Sequence, residues 1–442
     1  MSGVRVVGRL DDTFAWDGSN LYDEAELVAG DADLSRLRGA AATVAPTTGD
    51  GARRVLRDPL GLNKLFWAAE ESGTIVFAAR PWLLVEQGFS LDQIAATPRG
   101  EAVELGPSNE QLARHSLVPE GWMAAAGEEA DADLAAVGRE IGDLLDRYLA
   151  AIAARHGGAP AFVCLSGGLD SSGISVLVAE HFPDAIAVSF DLAGGDAGDS
   201  EDRRTAARLA DDLGLPLLEA TVNADQLLEP LDTVLREGID WRDFNVHAAL
   251  VNAALAAAIS DATDSNGARP LVFTGDLANE FLIDYQAESY RGKTYYALPQ
   301  LEPLALRSLL IRGLDTSHRE VGIFEAWDLS LIQPYAVAVD SYLRLPDSFL
   351  RLDDRKERLC QEIFASRIPE YVLTRPKARA QVGGENPEGS VLAVCVDRGI
   401  DAAALRHRFA ELHGGAEERS LDRFIRAGRY RARAPGEVEG TP

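Results

Sequence analysis

Cysteine is scarce. Three thiols, Cys164, Cys360 and Cys395, stand far apart in 442 residues. An odd, scattered set excludes a disulfide framework and a thiolate zinc site. The seven histidines show no ligand spacing, so a zinc centre is not expected. No apolar run approaches the length of a membrane span. Met1 to Leu10 lacks the charged, apolar and cleavage regions of a signal peptide, which leads us to expect a cytoplasmic protein with no membrane partner. Basic residues are in deficit: 43 Lys and Arg against 70 Asp and Glu leave a formal net charge of −27. Phosphate backbones and anionic membranes need basic surface, so a general nucleic-acid binder is excluded. One small polyanion in a local basic pocket is not. The acidic surplus itself reads as a solubility feature.

What is present suffices for buried cores, with 46% apolar residues, and the chain is longer than one core usually serves. Two domains are expected, 1–122 and 123–442. In the first, Val4 to Val7, Leu65-Phe66-Trp67 and Thr74 to Ala78 read as strands, the last two joined by a turn at Glu70-Glu71-Ser72-Gly73. The stretch from Ala124 to Asp131, rich in Ala, Gly and acid, reads as a linker. From Leu134 the period changes. Leu134, Val137, Ile141, Leu144, Leu145, Tyr148, Leu149 and Ile152 recur at three- and four-residue steps, as in an amphipathic helix. Short apolar runs follow at Ala161 to Leu165, Ala185 to Phe190 and Leu271-Val272-Phe273, with helical stretches at Ser171 to His181 and Glu201 to Leu213. Alternating strand and helix predicts an α/β domain with a parallel sheet covered on both faces, whose ligands sit at the C-terminal strand ends. From about residue 385 the pattern weakens. Arg423, Arg426, Arg429, Arg431 and Arg433 make a basic tail, expected to be a solvated helix face or a disordered end.

The most informative segment is Leu165-Ser166-Gly167-Gly168-Leu169-Asp170-Ser171-Ser172, which follows a strand and opens a helix. Two glycines let the backbone turn sharply and approach a ligand closely. Serine hydroxyls and backbone N–H groups at the helix start form an anion site. Asp170 is suited to Mg²⁺, a hard cation that prefers carboxylate and phosphate oxygens. The gap and ending differ from a Walker loop. A serine-capped helix after a glycine turn is the plain alternative.

This loop resembles the pyrophosphate-binding loop of enzymes that split ATP into AMP and pyrophosphate. Val188-Ser189-Phe190 ends the next strand, where that superfamily holds adenine. Asp199-Ser200-Glu201-Asp202 opens a helix that ends near Leu213-Gly214-Leu215, which is similar to the acidic helix start of the asparagine synthetase family. Thr374-Arg375-Pro376-Lys377, after Ile368-Pro369-Glu370, looks like the lysine segment of its β-lactam and carbapenam synthetase branch. Arg57-Asp58-Pro59-Leu60-Gly61-Leu62 and Phe77-Ala78-Ala79 resemble the amidotransferase domain that precedes the synthetase domain in that family.

The resemblance implies a PP-loop, adenine nucleotide α-hydrolase-like synthetase domain behind a small, β-rich, degenerate class II amidotransferase-like domain. It implies ATP and Mg²⁺ as cofactors. A substrate carboxylate is adenylated, pyrophosphate leaves, and an amine displaces AMP to give an amide, in specialised-metabolite biosynthesis. Leu165, Ser166, Gly167, Gly168, Asp170, Ser171, Ser172, Val188, Phe190 and Gly275 are then the nucleotide residues, with Asp170 and Asn279 on the metal. Lys377 stabilises charge in the transition state; a surface lysine is its alternative. Glu201, Asn245, His247 and Arg375 are candidate substrate contacts. The segment Asp240-Trp241-Arg242-Asp243-Phe244-Asn245-Val246-His247 reads equally as a substrate pocket or as a capped helix start.

Two departures matter. Glutamine-using members expose a cysteine after Met1; Ser2 stands here, a poorer nucleophile, and the family's glutamine-binding segments are missing. Glutamine is therefore not an expected substrate, and the amine comes with a small molecule. After Leu271-Val272-Phe273 the family writes Gly-x-Gly-x-Asp; this chain has Gly275-Asp276-Leu277-Ala278-Asn279-Glu280. Asn279 offers a carbonyl without charge, so Asp276 or Glu280 is a candidate replacement ligand or base, with a helix cap as the alternative for Asp276. Ring closure to a lactam or macrolactam, asparagine synthesis from free ammonia, and an inactive ATP-binding scaffold are the competing functions. A homo-oligomer stays open.

Overall fold

A computed structural model describes residues 3–29, 32–46, 51–119, 122, 133–193, 201–263, 267–317, 319–374, 389–426 and 428–437. Two four-stranded sheets fill the N-terminal quarter. In one, Val4–Val6 pairs parallel with Ile75–Ala78, which pairs antiparallel with Phe66–Ala69, and that strand meets Ala95–Ala96. The other runs antiparallel through Gln111–Ser116, Glu101–Leu105, Arg53–Arg57 and Ala42–Pro46. Val55, Trp67, Phe77 and Val103 close a core between them.

Ile75 to Ala78 is buried at every position, so the sheet is covered on both faces. The outer cover is the C-terminal segment. Phe424 and Tyr430 are buried against Phe66, with Tyr430 edge-on to it at 5.0 Å. The chain then adds to the sheet edge: Ala96 N–H donates to Arg431 O at 2.8 Å, and Arg433 N–H to Ala96 O at 2.9 Å. The tail is thus a packed element rather than the disordered end that was one expectation, while Arg423, Arg426 and Arg429 are exposed, in keeping with the other, a solvated face. Its arginines misled because their heads work locally: Arg433 lies over the Trp67 ring at 4.4 Å, and Arg431 donates to Asp92 O at 2.7 Å.

The second layer system is a five-stranded parallel sheet of order β3-β2-β1-β4-β5. Its strands are β1 (Ala161–Cys164), β2 (Ile186–Leu192), β3 (Leu217–Val222), β4 (Leu271–Phe273) and β5 (Ser330–Ile332). The α/β class expected from the alternating pattern is the one observed; β3 and β5 were not anticipated. Helix α1 (Leu134–His156) opens on Asp133, whose carboxylate accepts from the amides of Ala135 and Ala136 at 3.1 and 3.2 Å. Its predicted stripe, Val137 to Ile152, is the buried face. The helices α2 (Leu169–His181), α3 (Glu201–Leu213) and α4 (Asp243–Ala262) follow β1, β2 and β3 respectively. The strand order reverses between β1 and β4, so a crevice opens beyond their C-terminal ends. Among the described residues no helix is long and apolar enough to cross a membrane.

Candidate active site

The crevice is a cavity of about 340 Å³. Its floor is the turn from β1 into α2. Gly167 takes φ +75°, where a side chain would be strained, and Gly168 occupies the cap position of α2. Glycine there leaves the first helical N–H groups without a side-chain cap, open to an anion. Serines hold the turn in shape: the Ser166 N–H donates to Ser171 Oγ at 3.2 Å, and that hydroxyl donates to Gly168 O at 3.1 Å. Gly275, just after β4, touches the loop so closely that a Cβ would sit 2.6 Å from the Ser171 nitrogen. Any other residue there pushes the loop away.

Asp170 faces a residue that sequence reasoning missed. Lys356 is buried, and its ammonium donates to Asp170 Oδ2 and, at 2.7 Å, to Asn279 Oδ1; Asp284 Oδ2 is 3.1 Å away. Burial pulls the ammonium toward neutrality, but Asp170 and Asp284 hold its pKa above the ordinary lysine value, so it stays charged. Three elements place it. Helix α5 (Ala278–Leu282) carries Asn279; α6 (Pro303–Ser317) lies behind it; α7 (Arg355–Phe364) carries the lysine. Arg355 donates to the carbonyls of Leu282 and Ile283 at 2.8 and 2.9 Å, capping the end of α5 and so fixing its neighbour Lys356 beside Asn279. Helix α7 seats against α1 where α1 carries Gly138 and Gly142; a Cβ on Gly142 would lie 2.6 Å from Ile363 O. A signal for Lys356 existed: Lys356, Leu359, Cys360 and Ile363 form one buried stripe, and a lysine within an apolar stripe needs a buried partner.

The other wall is acidic. Glu280 accepts a hydrogen bond from the Tyr285 hydroxyl. Burial pushes its pKa up to about 7, the Tyr285 bond opposes that, and the carboxylates of Glu320 and Asp276 add to it. Arg319 pairs with Glu320 at 2.8 Å, and Phe244 meets Tyr285 edge-on at 5.8 Å. Asp276 lines the cavity, just before Leu277, the cap residue of α5 at φ +86°. Val188 and Phe190, from the end of β2, line an apolar part of the same cavity.

The structure therefore brings together Leu165, Ser166, Gly167, Gly168, Asp170, Ser171, Val188, Phe190, Gly275, Asp276, Asn279 and Glu280. Others stand apart from the lining. Ser172 is fully buried beneath the turn, and Glu201 is exposed at the start of α3. Asn245 donates to the buried Asp240, which also pairs with Arg242 at 2.7 Å. His247 Nδ1 sits 2.7 Å from the Tyr296 hydroxyl; burial pushes its pKa down to about 4, so the ring is neutral at pH 7. These contacts build the start of α4, and Phe244 is the member of that segment that reaches the cavity. Arg375 and Lys377 lie outside the described residues. No group of three or more His, Cys, Asp or Glu among the described residues is arranged to hold a metal.

Residues 143–330 match the asparagine synthase family. Among solved structures the chain is similar to a glutamine-dependent NAD+ synthetase from Acinetobacter baumannii in complex with adenosine diphosphate. The identity is 15%, over 78% of this chain and 54% of that one, with a TM-score of 0.31. The chain thus spans about half the length of that synthetase. No curated protein matches the chain.

Proposed function

We propose that this protein is an ATP-dependent, AMP-forming carbon–nitrogen ligase that adenylates a small-molecule carboxylate and passes the acyl group to an amine. The observation that carries this reading is Asp170 and Lys356 meeting at the head of the serine–glycine turn, inside a cavity that also holds a partly buried glutamate of raised pKa. The match of residues 143–330 supports it.

The chemistry follows from the placement. The N–H groups at the start of α2, which no side chain caps, and the Lys356 ammonium are suited to the triphosphate. A substrate carboxylate oxygen attacks the α-phosphorus, the bond from phosphorus to the bridging oxygen breaks, and pyrophosphate leaves with the electron pair. The amine nitrogen then attacks the acyl carbon, the carbon–oxygen bond to AMP breaks, and the amine proton passes to Glu280. A carboxylate of pKa about 7 is matched to that proton transfer at neutral pH. Tyr285 holds the glutamate in position through its hydroxyl.

The residues fit a magnesium ion through one atom. Asp170 Oδ1 is buried and has no hydrogen-bond partner among the described residues, which suits an oxygen awaiting a hard cation. Asp170 Oδ2 and Asn279 Oδ1 accept from Lys356. Magnesium held at Asp170 would neutralise phosphate charge during the displacement.

In this reading Lys377 and Arg375 supply further positive charge from the segment after Thr374. The β-rich region is a degenerate amidotransferase-like domain with a structural role, glutamine is not used, and the product belongs to specialised metabolism. The test is ATP–pyrophosphate exchange screened over carboxylic acids, with and without amines. Exchange that depends on one class of acid and is abolished by Asp170→Ala is the expected result. Exchange untouched by that substitution sinks the assignment.

A further inference from the structure

Among the described residues none before Cys164 lines the candidate active site, so the β-rich region lends it no side chain directly. One helix nevertheless joins the two. The seven-residue helix Glu320–Ala326 spans roughly 10 Å, at about 1.5 Å per residue. Arg319 and Glu320, at its start, line the cavity. Glu325, near its far end, accepts from Arg269 Nη2 at 2.7 Å and from the backbone N–H of Asp12 at 3.1 Å. Val321, Ile323 and Phe324 are buried between these ends. Gly322 makes the closest approach. A Cβ there would lie 2.1 Å from the Glu237 carbonyl oxygen and 2.9 Å from Arg80 Nη2. Only glycine lets this helix seat so tightly on the end of the helix Leu231–Gly238.

Arg80 fixes that seat from the β-rich side. It follows the buried strand Ile75–Ala78, and its side chain is buried with that of Asp11. Nη1 and Nη2 donate to the two Asp11 carboxylate oxygens at 3.1 and 2.6 Å. Nη1 also donates to Ala79 O at 2.9 Å, and Nε to Glu237 Oε2 at 3.0 Å. The Trp82 indole donates to the other Glu237 oxygen at 3.1 Å. A planar, forked guanidinium held at every nitrogen has little freedom to turn. Two side chains of the β-rich region thus hold Glu237, whose own carbonyl bears on Gly322. Buried ion pairs add little net stability over apolar packing of the same volume. What this set does supply is a fixed geometry at the contact.

We propose that Arg80 is a positioning residue: with Asp11 and Glu237 it sets the helix Glu320–Ala326, and through it Arg319 and Glu320, against the candidate active site. The β-rich region then serves the reaction by aiming one wall of the cavity. That wall is the one beside Glu280 and Tyr285, close enough for the charges of Glu320 and Arg319 to act on them. The serine–glycine turn is held instead by its own serines and by Gly275. The proposal rests on the ligase reading for the reaction that is served, and not for the contact itself.

The test compares Arg80→Met, Arg80→Lys and Gly322→Ala with the intact full chain, at equal amounts of folded protein. Three quantities are read. They are backbone hydrogen exchange across residues 319–326, ATP–pyrophosphate exchange, and amide formation, the last two with the acid and amine that the exchange screen selects. In Arg80→Met the expected result is faster hydrogen exchange in that helix and a kcat for amide formation lower by roughly 10- to 100-fold. Pyrophosphate exchange stays close to that of the intact protein. Arg80→Lys, which keeps the charge without the fork, recovers part of the loss. Gly322→Ala keeps the question answerable if Arg80→Met melts early. Alanine is the better helix former, so a selective loss there reports the blocked seat and not a weaker helix. Unchanged hydrogen exchange in folded Arg80→Met, equal loss of both chemical steps, or loss of neither overturns the positioning role while leaving the ligase reading standing. Pyrophosphate exchange absent from the intact protein with every acid removes that reading, and this role in it.

Discussion

Glu280 is the residue whose environment most directly sets a rate. Its pKa of about 7 comes first from burial and then from the carboxylates of Glu320 and Asp276. As the base for the incoming amine it works when deprotonated, so kcat for amide formation should rise with pH through an apparent pKa near 7. Glu280→Gln should remove that limb and lower kcat roughly 10²–10⁴-fold, while adenylation measured by pyrophosphate exchange persists. A limb that survives the substitution assigns the base elsewhere. Lys377 is tested by its own substitution: Lys377→Ala should lower kcat about 10²–10³-fold with less change in ATP affinity, the cost of losing one preorganised donor. A kcat close to that of the intact protein removes Lys377 from the mechanism. At this scale the sequence was legible where a motif is contiguous, as in Ser166 to Ser171, whose residues share one cavity. It was not legible where a lone side chain arrives from a distant helix. Lys356 lies 186 positions from Asp170, and only its place in an apolar stripe hinted at a buried role.

Elements long enough to show a period were readable. The stripe of α1 and the run of α3, Glu201–Leu213, agree with expectation, because several turns of repeat outweigh local noise. Strand β5 has three residues and no room for alternation, and β3 at the sheet edge is only partly buried, so neither announced itself. The C-terminal segment conceals its packing for a different reason. Its five arginines dominate the composition, while the residues that anchor it, Leu421, Phe424 and Tyr430, are few and widely spaced. Because that segment closes an edge of the N-terminal sheet, its packing should be part of the main cooperative unit. Phe424→Ala, which removes a fully buried ring, is expected to destabilise the protein by about 3–5 kcal/mol in denaturant unfolding. A change within a few tenths of a kcal/mol would show the segment to be a loose appendage.

Across the whole molecule the β-rich region and the α/β region meet through charges in a largely buried contact. Arg57 pairs with Asp315 of α6 at 2.5 Å, Arg99 donates to Ile311 O at 2.9 Å, and the Lys64 ammonium donates to Leu314 O at 3.2 Å. Three cations thus cover the end of one helix, where carbonyls lack internal partners. Burial and the neighbouring Arg57 pull the pKa of Lys64 down from its ordinary 10.5 to about 7, against the carboxylates around it. Between those values the unfolded chain holds a proton that the folded protein does not, so this group's contribution makes stability rise with pH from about 7 toward 10.5. Lys64→Met should flatten that part of the profile in denaturant unfolding, and an unchanged slope would mean the lysine titrates normally. In the proposed reaction a carboxylate oxygen becomes bonded to the α-phosphorus in the cavity above the serine–glycine turn. Turnover of a carboxylic acid substrate labelled with heavy oxygen in its carboxylate decides it most directly. One labelled oxygen in the AMP released, with unlabelled pyrophosphate, is the expected result; label in inorganic phosphate together with formation of ADP would rule out adenylation.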